Sequence, residues 1–226
     1  MADGKHTARA ARHHDHVHAA HSHDAHAAIE SSEPLAEYRY LLEAIQELLV
    51  AKGVFNADDV RRQIELMDTR NAATGARLVA RAWVDPAFKA LLLKDSRAAA
   101  SALGIDVADM PDVLVLENTP TRHHVVVCTL CSCYPKAILG MSPAWYKSAA
   151  YRARVVKDPR GVLKEFGTEL ADDVEIRVCD STADLRYLVL PMRPAGAEGW
   201  SEERLANLVT RDSMIGVSPA ASPAAS

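Results

Sequence analysis

Apolar residues recur at three- and four-residue intervals in two runs near the start of the chain, which is the periodicity of an amphipathic helix. The first run spans residues 35–49 and ends at Gly53, after an N-capping segment at residues 31–34. The second run extends from Asn56, which can cap a helix, to Arg70. We therefore expect two consecutive helices whose apolar faces must be covered by the rest of the chain or by a partner subunit.

The helical pattern continues from Thr74 to Gly104, and Asp85 with Pro86 gives a cap and first-turn signal within it. After Gly104 the chain turns to short β-branched runs that are typical of strands. The predicted elements are strands at 113–116, 125–127, 174–178 and 186–190, connecting turns at 118–121 and 181–184, and short helices at 143–150, at 158–166 and after Ser201. The strand at 125–127 ends where the most unusual segment of the chain begins.

This succession of elements predicts an α+β protein in which an extended N-terminal helical arm precedes a globular, layered α/β domain. Disorder is expected at both ends, because low hydrophobicity without periodicity cannot offset the entropy of ordering the backbone. The predicted division is a disordered tail at residues 1–30, a helical arm at 31–84, the α+β domain at 85–217 and a second disordered tail at 218–226.

Composition is that of an ordinary globular protein, and it argues against two classes of partner. Of the 226 residues, 49% are hydrophobic, which suffices for one core. The formal net charge of −4 argues against a nucleic-acid or anionic-membrane surface, because both need clustered lysine and arginine. We find neither a membrane-span pattern nor a secretory signal, and unpaired thiols fit a reducing compartment. We therefore expect a cytoplasmic protein.

Three of the four cysteines lie within residues 128–133, directly after an apolar run. Thiolates select soft transition metals over magnesium or calcium, and a turn can bring three sulfurs onto one ion. Three other interpretations compete with a metal site of this kind. A structural zinc site would need a fourth ligand, a Cys-x-x-Cys redox pair would use only Cys128 and Cys131, and buried inert thiols would not be expected to crowd together.

Residues 128–135 read Cys-Thr-Leu-Cys-Ser-Cys-Tyr-Pro and resemble the metal-binding claw of the nitrile hydratase α subunit. The resemblance continues through residues 143–148, 151–156 and 209–217, and it covers roughly residues 35–217. It implies the nitrile hydratase α-chain fold and an enzyme, a lyase of nitrogen compound metabolism, that hydrates a nitrile to the corresponding amide.

In that family the claw holds one low-spin Co(III) or Fe(III) ion through three cysteine sulfurs and two main-chain nitrogens. The resemblance implies that Cys128 is the axial thiolate, that Cys131 is oxidised to sulfinic acid and that Cys133 is oxidised to sulfenic acid. Ser132 and Cys133 would supply the two nitrogens. Threonine at the second claw position goes with cobalt and serine goes with iron, so Thr129 implies one Co(III) per chain.

The resemblance also implies the catalytic residues and the partners. Cys133 and Ser132 would be the catalytic part of the claw, with the attacking oxygen supplied by the Cys133 sulfenate or by a hydroxide on the metal. Sulfenic acid condenses with other thiols unless it is shielded, and in this family arginines of a partner chain hold its oxygen. The implied partners are a nitrile hydratase β subunit in an αβ or α2β2 heteromer, a metallochaperone or activator for cobalt insertion, and a small-molecule nitrile.

Two alternative functions stay open. A thiocyanate hydrolase γ-type chain uses the same claw, and a non-catalytic metal or redox binding module would also use clustered thiols. The sequence departs from the family after the third cysteine, where Lys136 replaces the tryptophan that members commonly have. Because a lysine shortens the apolar wall and adds a charged head group, we expect a wider and more polar substrate pocket.

Histidines are concentrated near the N terminus, where residues 1–30 hold eight of the ten. Neutral imidazole is a good ligand for late divalent ions, so this tail is either a weak collector that delivers cobalt or a solvated tail. His123 and His124 lie shortly before the cysteines, but adjacent strand residues face opposite ways. A surface or turn role is therefore favoured over metal ligation for this pair.

Two further features, a group of arginines and the fourth cysteine, can be explained by ordinary structural roles. Arg152, Arg154 and Arg160 give the region after the claw a basic face, which either makes solvent and salt-bridge contacts or meets an acidic partner surface. Cys179 stands alone and is most simply a core thiol.

Overall fold

The computed structural model describes residues 36–108 and 110–223, so the predicted histidine-rich tail at 1–30 lies outside the described residues. The helices are α1 (Ala36–Ala51), α2 (Ala57–Thr69), α3 (Ala72–Val84), α4 (Pro86–Lys94), α5 (Ser96–Ala102), α6 (Lys136–Leu139), α7 (Ala144–Lys147), α8 (Ala149–Lys157), α9 (Pro159–Glu165), α10 (Glu202–Ala206) and α11 (Arg211–Ile215). The strands are β1 (Asp112–Glu117), β2 (Arg122–Val127), β3 (Glu175–Asp180) and β4 (Leu185–Leu190). The α+β class predicted from the sequence is confirmed.

The first two helices expose their apolar faces. The predicted cap of α2 is present: the Asn56 side chain accepts a hydrogen bond from the Asp59 N–H at 2.9 Å, and the Asp59 carboxylate accepts one from the Asn56 N–H at 2.8 Å. No residue of α2 is buried. On α1, Leu42 and Ile45 are 66% and 53% exposed. The apolar faces of α1 and α2 are therefore left uncovered by the part of the chain that the structure describes.

The region from Thr74 to Gly104, where the helical pattern continues without a break, is divided into α3, α4 and α5. The divisions fall at Asp85 and Asp95, because each carboxylate accepts a hydrogen bond from the first turn of the next helix, at 3.0 and 2.8 Å. The signal at Asp85 was recognised in the sequence, and the one at Asp95 was not.

Helix α3 packs in the main core rather than with α1 and α2. Small residues let it approach its neighbours, since a Cβ on Gly75 would lie 2.6 Å from the Met214 sulfur. Leu78 and Val79 are fully buried. Helix α3 therefore contributes to the core, and the predicted division of the chain into domains stays a prediction.

Strands pair with partners that are distant in sequence. β1 pairs with β4 and β2 pairs with β3, both in parallel, so two sheets of two strands form. The turn at 181–184 does connect β3 to β4, but these strands lie in different sheets. Because β2 and β3 run in parallel, their carboxyl ends meet at one edge, with Val127 opposite Asp180. The cysteine segment leaves the sheet at this edge.

The core surrounds β2, whose last three residues are at most 1% exposed. An aromatic layer packs nearby, with ring centroids of Trp145 and Tyr151 4.9 Å apart and those of Trp145 and Phe166 4.7 Å apart, both edge to face. Ser201 caps α10 as predicted, and α11 is an additional helix capped by Thr210. None of the helices over the described ranges is long and apolar enough to cross a membrane.

Candidate metal centre

The three clustered cysteines come together in the claw, residues 128–133. The Cys128 and Cys131 sulfurs are 3.3 Å apart, and the Cys131 and Cys133 sulfurs are 3.1 Å apart. All three sulfurs lie within 4.8 Å of one another, and all three cysteines are free of disulfides. The Cys131 N–H also donates to the Cys128 sulfur at 3.3 Å. The turn thus folds back so that one ion could contact all three sulfurs.

The cysteines differ in exposure and acidity. Cys128 and Cys133 are 1% and 9% exposed, whereas Cys131 is exposed at the surface of the claw. Hydrogen bonds with Cys133 and then with Cys128 lower the pKa of Cys131 to about 7. Burial, together with the hydrogen bonds to Cys131 and then to Cys128, raises the pKa of Cys133 to about 12. Cys131 is therefore the more readily ionised of these two thiols in the metal-free chain.

The donor set fits a soft transition metal. The main chain at Ser132 and Cys133 also contributes to the lowered pKa of Cys131. Among the described residues no histidine, carboxylate or fourth cysteine joins this group. A closed zinc site with four side-chain ligands is therefore not formed by that part of the chain.

Thr129, the second residue of the claw, is held through its hydroxyl, its N–H and its carbonyl. The hydroxyl donates to one carboxylate oxygen of Asp180 at 2.5 Å, and the N–H donates to the other at 2.9 Å. The Arg152 guanidinium donates to the Thr129 carbonyl at 3.4 Å. Asp180 reaches the claw because β3 ends beside β2. Hydrogen bonds to a carboxylate are among the stronger ones, so this contact fixes the position of the claw.

Two buried tyrosines support the claw and the strand that carries it. The Tyr146 hydroxyl donates to the Cys133 carbonyl at 2.9 Å, and the Tyr151 hydroxyl donates to the Val126 carbonyl at 2.7 Å. Burial raises the pKa of both hydroxyls above the usual value, so both are neutral donors at neutral pH. The third cysteine is thereby anchored from the aromatic layer.

A cleft of about 370 Å³ opens beside the claw. Its lining residues are Cys131, Ser132, Cys133, Tyr134, Lys136, Ala137, Arg70, Pro111 and Arg186. Lys136 thus lies in the cleft wall. Arg70 comes close because Asn71 forms a β-bridge with Gly140, which has a φ of 72° and has no room for a side chain: a Cβ there would meet the Arg70 carbonyl oxygen at 2.5 Å.

His123 and His124 are not part of the metal group. Both are buried, so the predicted surface or turn role is wrong. The His123 Nε2–H donates to the Gly216 carbonyl at 2.7 Å, and its Nδ1 accepts from the Asn118 amide at 3.1 Å. The Asn118 side-chain oxygen accepts from the His124 N–H at 2.8 Å and from its ring Nδ1 at 3.1 Å. Burial is tolerated because Asn118 satisfies both rings.

The basic residues after the claw make contacts within the chain. Arg154 pairs with Glu165, and Arg160 donates to the carbonyls of Leu170 and Val174 at 2.9 Å. Arg152 holds the claw as described. The structure shows intrachain contacts for this basic face, and its contact with an acidic partner surface stays a prediction. Cys179 is half-buried and lies outside the metal group.

Four residues beside the claw were not singled out as site residues from the sequence: Arg70, Tyr146, Asp180 and Arg186. Each comes from a different element, and none lies in the cysteine segment. The one available signal was Asp180 shortly after the strand predicted at 174–178, where parallel pairing would place it at the edge that also carries the claw. That pairing was not predicted.

Residues 36–218 match the family model described as nitrile hydratase, alpha chain. The chain belongs to the nitrile hydratase α-chain family. This confirms the resemblance seen in the claw. A member of this family is a metal-binding subunit, which agrees with the cluster of Cys128, Cys131 and Cys133.

The names of individual relatives of this chain differ in metal and reaction. It is 52% identical over 183 residues to a low-molecular weight cobalt-containing nitrile hydratase subunit α from Rhodococcus rhodochrous, covering 80% of this chain and 88% of the relative. It is 45% identical over 196 residues to a thiocyanate hydrolase subunit γ from Thiobacillus thioparus, covering 82% and 81%. A mutant structure of an Fe-type nitrile hydratase from Comamonas testosteroni Ni1 superposes with a TM-score of 0.79 at 43% identity, covering 86% and 95%. Family membership alone therefore does not decide the metal or the substrate.

Proposed function

We propose that this chain is the catalytic α subunit of a cobalt nitrile hydratase, which adds water to a nitrile and yields the corresponding amide. The observation that carries the proposal is the convergence of the Cys128, Cys131 and Cys133 sulfurs within 4.8 Å of one another, in a claw whose second and third cysteines line an open cleft. The cobalt-containing relatives with about half of their residues identical support the same reaction.

The proposed metal ligands are the sulfurs of Cys128, Cys131 and Cys133 and the main-chain nitrogens of Ser132 and Cys133. Thr129 favours Co(III) over Fe(III), and the names of three relatives include cobalt. An Fe-type structural relative keeps iron as the competing metal. In the proposed active form Cys131 is a sulfinic acid and Cys133 is a sulfenic acid, both of which are reached by oxidation of thiolates.

When bound, a trivalent ion supplies a Lewis acid that polarises the nitrile. The chain supplies the rest. The oxygen that attacks the nitrile carbon would come either from the Cys133 sulfenate or from a water molecule activated in the cleft, and the Tyr146 hydroxyl fixes the carbonyl of Cys133. Ser132 lies at the cleft wall, and the hydrogen bonds from Thr129 to Asp180 hold the turn in place. Orientation of this kind is a large part of what an enzyme contributes.

A β subunit is the proposed partner, in an αβ or α2β2 assembly. The claw itself is incompletely covered: Leu130, between the first two cysteines, is 90% exposed. A sulfenate open to other thiols would be lost, so the site requires a second chain to close it. An activator or metallochaperone that inserts cobalt is the other proposed protein partner.

A second candidate function is thiocyanate hydrolysis. It is favoured by the thiocyanate hydrolase relative at 45% identity and by a thiocyanate hydrolase structure with a TM-score of 0.78. Lys136, which lines the cleft, is also compatible with a substrate other than an apolar nitrile.

Metal analysis combined with the intact mass of the claw peptide tests the proposal. Protein expressed with cobalt and its β subunit should hold about one cobalt per chain, with two oxygens added to Cys131 and one added to Cys133. It should also hydrate nitriles. Iron in place of cobalt would refute the proposed cobalt site. Zinc with unoxidised cysteines and no turnover would favour a non-catalytic metal or redox binding module.

A further inference from the structure

The cleft beside the claw is lined by three cationic side chains and by no carboxylate among the described residues. The three are Arg70, Lys136 and Arg186. They come from separate segments: the end of α2, the start of α6 and strand β4. Positive charge therefore enters the cleft from more than one side, and it is a property of the fold rather than of one basic run.

Lys136 and Arg186 keep their charges uncompensated by the residues that the structure describes. Neither forms an ion pair within 4 Å among the described side chains, whereas Arg122, Arg154 and Arg177 all do. Arg186 donates to the Thr182 carbonyl, which is neutral, and its Nε atom is buried without a hydrogen-bond partner. Lys136 is exposed at the cleft wall. Both cations are thus available to a group that enters the cleft.

A charge of this kind discriminates between an anion and a neutral molecule of equal size. One elementary charge about 6 Å away, in a partly solvated cleft, changes their relative binding by roughly three- to tenfold. We infer that the cleft selects substrates in which the C≡N group belongs to a small anion. This inference rests on the proposed function and names its substrate class.

Two sources share this chemistry. A cyanocarboxylate carries its charge beside the nitrile, and water adds across its C≡N bond to give the amide. Thiocyanate carries the charge on the same three atoms, and its hydrolysis consumes two waters and gives carbonyl sulfide, ammonia and hydroxide. Neither reaction needs an oxidant or a reductant. Neutral nitriles use the same catalytic groups but gain nothing from Lys136 and Arg186.

The competing explanation is that the cations serve the claw, whose thiolates are themselves negative. In that case, removing a cation weakens metal binding and lowers turnover equally for every substrate. Selection of anions instead changes the ratio between substrates. The two explanations therefore differ in a measurable quantity.

The experiment uses the cobalt-loaded complex with its β subunit and two substrate pairs of matched size, cyanoacetate with cyanoacetamide and thiocyanate with acetonitrile. Lys136→Gln and Arg186→Gln are compared with Lys164→Gln, which removes an exposed lysine of α9 outside the cleft. We expect the unaltered complex to favour the anion of at least one pair in kcat/KM, and that preference to fall three- to tenfold in each cleft variant but not in the control. The pair that responds identifies the source.

A binding measurement separates this inference from the proposed function. Calorimetric titration of the same complexes with thiocyanate should give a Kd three- to tenfold weaker in the cleft variants, whether or not turnover occurs. Anion binding without any hydration would overturn the proposed function and leave the inference standing. Equal losses for both members of each pair, or thiocyanate binding that is unchanged by Lys136→Gln and Arg186→Gln, would overturn the inference.

Discussion

Tyr146 and Tyr151 are two similar tyrosines whose hydroxyls donate hydrogen bonds to different parts of the chain. Both are fully buried, and each donates one hydrogen bond to a main-chain carbonyl. The bond from Tyr146 ends on Cys133 inside the claw, and the bond from Tyr151 ends on Val126 in β2. The pair can therefore separate support of the metal site from support of the core.

We expect Tyr146→Phe and Tyr151→Phe to lower the free energy of unfolding by similar amounts, about 1–2 kcal/mol, because each leaves one carbonyl without its partner. Only Tyr146→Phe should also lower kcat/KM, by roughly tenfold, and shift the visible absorption of the metal centre, since groups that orient ligands have effects of that size. Urea unfolding and steady-state kinetics measure the two quantities. Equal activity in both variants would show that Cys133 needs no support from Tyr146.

At the level of residues, the sequence predicts those site residues that lie close together along the chain. Cys128, Cys131 and Cys133 could be recognised because their spacing within one turn carries the chemistry. Arg186 and Asp180 could not be, because each reaches the site through strand pairing that no short-range pattern encodes. Lys136 was also predictable, because it follows the claw closely in the sequence. It was expected in the pocket wall, and it lines the cleft beside the claw.

The turn between β1 and β2 is held by Asn118, whose side chain serves both buried histidines. Because the Gly216 carbonyl can only accept, the His123 Nε2 carries the proton and its Nδ1 accepts from the Asn118 amide. Burial lowers the pKa of His123 and His124 below the usual value near 6.5. The unfolded chain takes up protons below about pH 6.5 that the folded chain does not, so stability is complete above that pH and falls below it.

We expect Asn118→Asp to lower the free energy of unfolding at pH 8 by about 1–3 kcal/mol, because an acceptor then faces the acceptor nitrogen of His123. Protonation of that nitrogen restores the bond, so the pKa of His123 rises and the loss of stability below pH 6.5 becomes smaller than in the unaltered chain. Denaturant unfolding at pH 8 and pH 5.5 tests both effects. Asn207→Asp, at an exposed asparagine, should change neither; a parallel loss at both pH values would refute the assignment for His123.

At the level of elements, the kinds of elements were more predictable than their pairing. Four strands were expected near the places where they are found, because β-branched runs and turn residues are local signals. The parallel pairs β1–β4 and β2–β3 were not, since adjacent strands joined by short turns are usually neighbours in one sheet. Asp95 divides a segment that was predicted to be helical. This division was not predicted either, because the capping role of Asp95 depends on the backbone direction after it.

For the molecule as a whole, α1 and α2 present the clearest surface for another chain. A groove of about 620 Å³ between them is lined mainly by apolar residues, with Leu42, Ile45, Leu49 and Ile64 among them. Exposed apolar surface of this extent marks an interaction site. It belongs to the same chain as the uncovered claw, so one β subunit that binds the helices and closes the site would account for both features.

We expect the isolated cobalt-loaded chain to be nearly inactive and the co-expressed complex to be active, because the claw is left open to solvent at Leu130 and positioning of the substrate depends on a closed site. Leu42→Glu with Ile45→Glu should weaken assembly by at least tenfold, measured by analytical ultracentrifugation, while leaving the thermal unfolding of the isolated chain unchanged. Glu43→Arg, which alters an exposed residue of α1 that does not line the groove, is the matched control. Full turnover by the chain alone would contradict the heteromer.

The contact between Thr129 and Asp180 joins two residues that are 51 positions apart. During synthesis at about 5–20 residues per second, Asp180 is made roughly 3–10 s after the claw. In that interval the thiols exist without the strand that shapes their turn, and any thiophilic ion they meet binds a flexible peptide. Discrimination between ions begins only when β3 docks beside β2. A cell that fills this site correctly therefore has to keep competing ions away early and deliver the right one late.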